Sequence, residues 1–224
     1  MYQADYETGE IFLYDAIGDP WWGMIGAENV IADLSQMSGK RVTMRIASPG
    51  GSVDEGRLIY NALKRYKGGV DVVVDSSAYS IASYIAMAGE RVVMAKNAMM
   101  MIHNPWTMAF GNADELRRTA DVLDKYRDSI VDAYTDKSEK DRQQMVAILD
   151  AETWYTAQEA VNEGFATEIG DILPGDAPTF AKAMYTGKPK DEPKKEQPKA
   201  GTRTRWEIDS RKIRRKTIAA LFGR

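Results

Sequence analysis

The sequence predicts an α/β domain in which strands and helices alternate and the strands pair largely in parallel. Short apolar runs of strand length alternate with longer stretches whose apolar residues recur at helical spacing. This alternation is typical of a sheet covered by helices. With 224 residues and a hydrophobic content of 44%, the chain can bury a core of moderate size.

The first half of the chain begins the alternation. Residues 10–14 and 40–47 are predicted strands, and residues 26–37 between them have the apolar spacing of a helix. A Gly-Gly turn at 48–52 leads into a second helix over 58–66, where apolar residues again recur every three or four positions.

The central segments are more apolar. Residues 70–74 form a continuous apolar run typical of a buried strand, and residues 80–88 form a helix of small residues. Two further strands are predicted over 91–95 and 99–102. The order of these segments supports parallel pairing.

A long helix is predicted over 112–133. Asn112 can cap it, and Glu115 stands at the reciprocal position of a capping box. About 20 helical residues extend roughly 30 Å, so this helix can project beyond a compact core. A further helix over 139–149 and a closing segment over 151–164 complete the domain.

The charge distribution divides the chain into a folded domain, 1–184, and a basic tail, 185–224. The tail carries 13 lysines and arginines against 5 acidic residues, and the domain carries 17 against 28. The start of the tail has the Pro- and Lys-rich composition of a disordered linker, and 211–222 has the pattern of a short basic amphipathic helix. Contact with nucleic acid, an acidic partner or a membrane surface stays open beside a plain solvated tail, and no such partner is assigned.

The composition excludes several classes of function. The sequence contains no cysteine, which excludes disulfides, thiol nucleophiles and thiolate metal sites. A single histidine argues against an ordinary zinc site, so we expect no metal and no cofactor. No apolar run approaches the roughly 20 residues that span a bilayer, and the first residues lack the pattern of a signal peptide. We therefore expect a cytoplasmic protein.

The residues suited to chemistry are a serine, a histidine and a glycine pair. His103, the one histidine of the sequence, follows the last of the predicted strands, and Ser80 opens the small-residue helix. A serine hydroxyl becomes a nucleophile when a neighbouring base removes its proton, and at a helix start the amide of Ile81 would face the developing negative charge. Gly50 or Gly51 can supply a second amide, because glycine lets the backbone approach a substrate closely.

Simpler interpretations exist for each of these residues. Ser80 has the position of a helix N-cap, a histidine at a strand end is commonly structural, and a Gly-Gly segment is commonly only a turn. Ser76, Ser77 and Ser83 lie near enough to Ser80 to compete for the role of nucleophile. The residues by themselves leave these alternatives open.

Three short blocks occur in a characteristic order: Ile-Ala-Ser-Pro-Gly-Gly-Ser-Val at 46–53, Ser-Ser-Ala-Tyr-Ser at 76–80 and Met-Ile-His-Asn-Pro at 101–105. Together they resemble the Clp protease proteolytic subunit family of serine peptidases, and within it the phage-associated prohead (head maturation) proteases. The corresponding blocks of the family are Asn-Ser-Pro-Gly-Gly, Gly-x-Ala-Ala-Ser and Met-Ile-His-Gln-Pro. The chain departs from the first at Ala47, and the resemblance extends over about residues 10–171.

The resemblance implies that Ser80 is the nucleophile and His103 the base. The run Thr-Ala-Gln-Glu-Ala at 156–160 sets the register for the third residue, and Glu152 takes the position at which the family has an aspartate. We expect Glu152 to orient the imidazole, as a glutamate does in some hydrolases. Asp150 is the competing candidate, and a site without an orienting acid is the third alternative.

The resemblance also implies a crotonase-like fold of repeated ββα units that assembles into homo-oligomeric rings. In the family, the long helix contacts a second, stacked ring, and the helix over 112–133 resembles it. Relatives that work with an ATPase unfoldase dock it through N-terminal loops and surface pockets. This chain has only about nine residues before its first predicted strand, so we expect no such partner and an activity independent of ATP.

These expectations amount to a serine endopeptidase that cleaves capsid or scaffold proteins during phage head assembly. One alternative is a catalytically silent ring that acts in assembly. Another is an acyl-CoA hydratase or isomerase of the crotonase group, which combines a similar Gly-Gly loop with carboxylate chemistry. A Ser–Lys peptidase would need a lysine such as Lys96, which His103 makes unnecessary.

Overall fold

The computed structural model describes residues 1–170, which form one mixed sheet with helices packed against it. The predicted basic tail, 185–224, with its helix over 211–222, lies outside the described residues, as does the end of the predicted domain 1–184. Within the described part, no helix combines the length and the hydropathy needed to cross a membrane.

Strands and helices alternate along residues 1–170. The strands are Tyr2–Asp5 (β1), Glu10–Leu13 (β2), Val42–Ser48 (β3), Val70–Tyr79 (β4), Arg91–Ala95 (β5), Met99–Ile102 (β6), Thr153–Thr156 (β7) and Glu168–Gly170 (β8). The helices are Ala27–Gln36 (α1), Val53–Arg65 (α2), Ile81–Ala86 (α3), Ala113–Ser138 (α4), Arg142–Asp150 (α5) and Ala157–Asn162 (α6), and a 3₁₀ turn covers Pro20–Trp22.

The sheet is mainly parallel, so the predicted α/β class is confirmed. Its main path runs β1-β2-β3-β4-β5-β8, and in the described part of the chain only the pairs β1–β2 and β6–β7 are antiparallel. Parallel strands end at the same edge of a sheet, and ligands commonly bind at that edge. The segments that follow β3, β4 and β6 therefore meet on one side of the molecule.

The strand β4 is the branch point of the sheet. Its residues 71–74 pair with β5, whereas residues 77–79 pair with residues 99–101 of β6. On its other side β4 pairs with β3, with a shift of register before Ser48 meets Ala78. The last residues of β4 are therefore held between β3 and β6.

The predicted strands over 10–14 and 40–47 shift by one or two residues at their ends, and β1 and β4 differ more from the sequence prediction. β1 precedes the strand predicted as the first, so the residues ahead of β2 belong to a hairpin, and its half-buried side chains give only a weak apolar pattern. β4 continues to Tyr79 instead of ending at Val74, because its polar second half is paired on both sides.

The end of the domain also differs. The closing segment contains the strand β7, which pairs with β6, and β8 follows it beside β5; the sequence predicted neither strand. The long helix continues to Ser138, beyond the predicted end at residue 133.

The beginning of α4 is as predicted. The Asn112 side chain accepts from the amides of Asp114 and Glu115, and the Glu115 carboxylate accepts from the Asn112 amide. Buried side chains of α4 occur only between Ile130 and Ser138. The preceding turns are exposed, which agrees with a helix that extends away from the core.

A buried ion pair holds the polar half of β4 in the sheet. Arg45 on β3 donates from Nε to Asp75 Oδ2 at 2.9 Å and from Nη2 to Asp75 Oδ1 at 2.5 Å. Its Nη1 reaches Glu10 on β2 at 3.2 Å, and the Tyr14 hydroxyl donates to Asp75. The side chains of Arg45 and Asp75 are 7% and 9% exposed. This network links β2, β3 and β4.

Replacing Arg45 by methionine should lower the free energy of unfolding by about 3 kcal/mol, because the buried Asp75 carboxylate would lose its charged partner. Arg41→Met is the matched control: Arg41 also pairs with two carboxylates, those of Asp71 and Glu90, but its side chain is 51% exposed. The control should lose less than about 1 kcal/mol. Urea unfolding measures both, and equal losses would contradict the role given to burial.

Candidate active site

Ser80 lies between β4 and α3 in a backbone conformation that is unusual for its residue type. Its φ of 55° and ψ of −129° fall outside the helical and extended regions. A non-glycine residue in such a region costs roughly 1–3 kcal/mol and commonly marks a functional site. The side chain makes no capping hydrogen bond to α3. Ser80 therefore does not cap the helix through its hydroxyl, contrary to the simpler interpretation.

The hydroxyl of Ser80 contacts His103 instead. Ser80 Oγ lies 2.8 Å from His103 Nε2, although the two residues are 23 positions apart in the sequence. The pairing of β4 with β6 produces this contact, because the Ser80 amide donates to the carbonyl of Met101 at 2.9 Å. His103 follows directly after β6, and its side chain is 14% exposed.

The competing serines are engaged elsewhere. The Oγ atoms of Ser76 and Ser77 lie 3.5 Å from each other. The buried Ser83 hydroxyl donates to the carbonyl oxygen of Ser80 at 2.7 Å. Among the described residues, Ser80 alone brings a hydroxyl within hydrogen-bond distance of His103.

The two candidate acids have different partners. Glu152 Oε2 lies 3.6 Å from His103 Nδ1, and its side chain is 58% exposed. This distance exceeds that of a hydrogen bond, so the pair is a loose electrostatic contact. Asp150 accepts instead from Asn104 Nδ2 at 2.7 Å. The structure thus places Glu152 beside His103, whereas Asp150 binds Asn104, the residue that follows His103.

The Gly-Gly loop packs directly against the turn that carries Ser80. Gly50 and Gly51 have φ values of 90° and 146°, in the region that favours glycine. A Cβ on Gly50 would lie 2.5 Å from the carbonyl oxygen of Tyr79, and one on Gly51 would lie 2.0 Å from that of Ile17. Only residues without a side chain allow this approach.

The amides near Ser80 differ in their availability. The Gly50 amide donates to the Ser48 hydroxyl at 3.1 Å, and that hydroxyl donates to the carbonyl of Asp15 at 2.6 Å. Within residues 1–170, neither the Gly51 amide nor the Ile81 amide donates to another group of the protein. These two amides can therefore bind an oxygen of a ligand.

A cleft of about 520 Å³ opens over Ser80, His103 and the Gly-Gly loop. It combines Ser80 and His103 with an apolar wall and is lined by Pro49, Gly50, Gly51, Val53, Ser80, Met101, His103, Pro105 and Trp106. The wall residues and Ser48 were not among the residues expected from the sequence. Two sequence features could have indicated them: Ser48 is the first residue of the Ser-Pro-Gly-Gly segment, and Trp106 lies three positions after His103.

The geometry suits acyl transfer. It places a hydroxyl, an imidazole and the unpaired Gly51 amide on one cleft, and the unpaired Ile81 amide follows Ser80 directly, as nucleophilic catalysis at a carbonyl requires. Among the described residues there is no group of three or more histidine, cysteine or acidic side chains that could hold a metal ion.

Comparison with known proteins gives a consistent result. The family model described as Clp protease matches residues 1–172. The ATP-dependent Clp protease proteolytic subunit of Bacteroides thetaiotaomicron is 30% identical over 161 residues, which is 71% of this chain and 73% of that protein. The subunit of the same name from Ligilactobacillus salivarius is 33% identical over 149 residues, 64% of this chain and 76% of that protein.

A solved structure shares the fold. A ClpP1 variant from Listeria monocytogenes superposes with a TM-score of 0.67 at 24% identity, over 76% of this chain and 95% of that one. The fold is therefore the ClpP-like, crotonase-related one that the sequence predicted. The match of the family model over most of the sequence shows that the chain belongs to the Clp protease family.

Proposed function

We propose that this chain is a serine endopeptidase in which Ser80 is the nucleophile and His103 the general base. The observation that carries the proposal is the 2.8 Å contact between Ser80 Oγ and His103 Nε2, made by a serine with a positive φ. Strained turns between a strand and a helix expose the nucleophilic serine in other hydrolases as well. Membership of a family of peptidase subunits supports the same reaction class.

The reaction would follow the chemistry of other Ser–His enzymes. His103 Nε2 takes the proton of Ser80 as Oγ attacks the scissile carbonyl, and then returns it to the leaving amine. Water hydrolyses the resulting acyl-enzyme with His103 again acting as the base. None of these steps uses a metal, a cofactor or ATP.

The charge that develops on the carbonyl oxygen needs hydrogen-bond donors. The amide of Ile81 and one amide of the Gly-Gly loop, from Gly50 or Gly51, would supply them. Of the two glycines, Gly51 is favoured because the Gly50 amide already donates to Ser48. Each such donor lowers the barrier by roughly 3–4 kcal/mol.

Glu152 is the proposed third residue. Its carboxylate lies on the Nδ1 side of His103 and can stabilise the imidazolium that forms when Ser80 loses its proton. Since the side chain is more than half exposed and lies 3.6 Å away, solvent weakens this interaction. Its contribution should therefore be smaller than that of a buried aspartate.

An exposed apolar face supports assembly into a homo-oligomeric ring or two stacked rings. Met108 and Phe110 are 80% and 95% exposed, and Leu116 and Val122 on α4 are exposed as well. Trp106, which also lines the cleft, is 71% exposed and borders a second pocket with Val122. Contiguous exposed apolar side chains mark protein interaction sites. We assign this face, together with α4, to contacts between subunits, and sedimentation of the protein as a monomer would contradict the assignment.

The substrates we propose are capsid or scaffold proteins of a phage head. The support is the resemblance of the three sequence blocks to the head maturation proteases. Cleavage at a few sites of such proteins would require no unfoldase, because flexible segments can enter an open cleft unaided. An ATP-independent endopeptidase is therefore the form of the activity that we propose.

Ser80→Ala should lower kcat/KM for peptide hydrolysis by at least about 10⁴-fold and abolish labelling by a fluorophosphonate, because the attacking oxygen is removed. Ser76→Ala, a change at an exposed neighbour on β4, should leave both unchanged. Mass spectrometry of the labelled protein locates the modified residue. Labelling of any residue other than Ser80 would reject the assignment.

Glu152→Gln should lower kcat/KM by about 10- to 100-fold, less than the roughly 10⁴-fold loss at a buried triad aspartate, because the carboxylate is exposed. Asp150→Asn keeps an acceptor for Asn104 and should lower kcat/KM by less than about threefold. Steady-state kinetics on one peptide measures both. A larger loss for Asp150→Asn would make Asp150 the orienting acid.

Purified phage capsid and scaffold proteins should be cut at discrete positions by the wild-type protein without ATP, and left intact by Ser80→Ala. Gel electrophoresis with mass spectrometry identifies the products. If peptides are hydrolysed while the head proteins stay intact, the substrate assignment is wrong and the peptidase assignment stands. A ring that hydrolyses neither would instead fit the catalytically silent alternative.

A further inference from the structure

A buried pair of hydroxyl groups lies directly behind the nucleophile turn and has no part in the reaction described above. Ser83 is fully buried on α3, and Tyr134 is 2% exposed on α4. Their hydroxyl oxygens lie 2.8 Å apart. Ser83 Oγ also lies 2.7 Å from the carbonyl oxygen of Ser80. The three groups form a chain from α4 to the nucleophile.

The direction of these hydrogen bonds follows from the number of protons. A carbonyl oxygen can only accept, so the single proton of Ser83 points to Ser80. The hydroxyl of Tyr134 must then donate to Ser83 Oγ. Burial raises the pKa of Tyr134, which keeps its proton in place throughout the working range of a Ser–His enzyme. Its ring packs edge-on against Tyr84 and Phe165.

The hydrogen bond from Ser83 to the Ser80 carbonyl also affects the N–H on the opposite side of the same peptide group, that of Ile81. The Ser80–Ile81 peptide is planar and trans, so its C=O and N–H point in opposite directions. Holding the carbonyl oxygen in the interior therefore fixes the direction of the Ile81 N–H. The Ser83 amide adds a second bond to the same oxygen, at 2.9 Å. On the other side of Ser80, its own amide is held by Met101.

We propose that Tyr134 and Ser83 are positioning residues that hold the strained Ser80 turn and aim the Ile81 amide at the oxyanion. The donation from Tyr134 polarises the Ser83 hydroxyl, which in turn polarises the Ser80 carbonyl and strengthens the Ile81 N–H as a donor. Neither side chain lines the cleft, so both act through the peptide group and not on the substrate. The inference rests on the proposed peptidase function.

The test combines two single variants, their double variant and a control. Ser83→Ala removes the side-chain hydrogen bond to the Ser80 carbonyl and should lower kcat about tenfold, whereas Tyr134→Phe removes only the donor to Ser83 and should lower kcat about fivefold, with KM unchanged within about twofold in both. Because Tyr134 acts only through Ser83, adding Tyr134→Phe to Ser83→Ala should change kcat by less than about twofold. The rate of Ser80 labelling by a fluorophosphonate should follow the same pattern.

Tyr84→Phe is the matched control. Tyr84 is 4% exposed in the same aromatic cluster, and within residues 1–170 its hydroxyl makes no hydrogen bond. The Tyr84→Phe variant should keep the wild-type kcat. This should hold even if urea unfolding shows that Tyr84→Phe and Tyr134→Phe lower the free energy of unfolding equally. A control that loses kcat equally would reduce Tyr134 to a structural role and overturn the inference.

The outcomes separate the inference from the proposed function. If the wild-type protein is not labelled at Ser80, both fail. If it is labelled but Tyr134→Phe reacts at the wild-type rate, or if the two variants lower kcat additively, only the inference fails. Ser83→Ala breaks the same chain of hydrogen bonds at its middle group, so either variant decides the question when the other does not fold.

Discussion

The pairing of the second half of β4 with β6 is the constraint on which the candidate site depends. β4 is shared between two neighbours, β5 along its first half and β6 along its second. Because β6 pairs with the second half of β4, the two strands end side by side, and Ser80 and His103, which follow them, lie at adjacent positions. A backbone hydrogen bond from Ser80 to Met101 fixes their spacing, and the 2.8 Å contact between the two side chains follows from it.

Polar contacts stabilise the second half of β4 and the Ser80 turn that follows it. In the sheet, the Arg45–Asp75 pair lets β4 continue through polar residues into its second half. Behind the turn, Ser83 donates to the Ser80 carbonyl in the interior of the protein, and the Tyr134 hydroxyl bonds to Ser83. In front of it, Gly50 of the 48–52 loop lies so close to the carbonyl of Tyr79 that no side chain would fit between them. A strained backbone conformation persists where the surrounding contacts hold it in place, as they do at Ser80.

The sequence predicted most of the fold because apolar periodicity is a local property. The buried β5 and β6 were predicted with the bounds that the structure has, and the capping box at Asn112 was read from two side chains three residues apart. The predictions were wrong where pairing overrides composition. The polar end of β4 and the half-buried β1 are strands because their neighbours supply hydrogen bonds, and no property of their own residues indicates this.

The sequence by itself determined the chemical inventory: one histidine, no cysteine, a glycine pair and a serine before a short helix. It also determined the α/β class, since spacing along the chain encodes which faces are buried. Only the tertiary structure decided which serine meets His103, that Glu152 and not Asp150 faces it, and which amides are unpaired. These are relations between residues far apart in the chain, and side chains come within hydrogen-bond distance of each other only when the sheet brings its strand ends together.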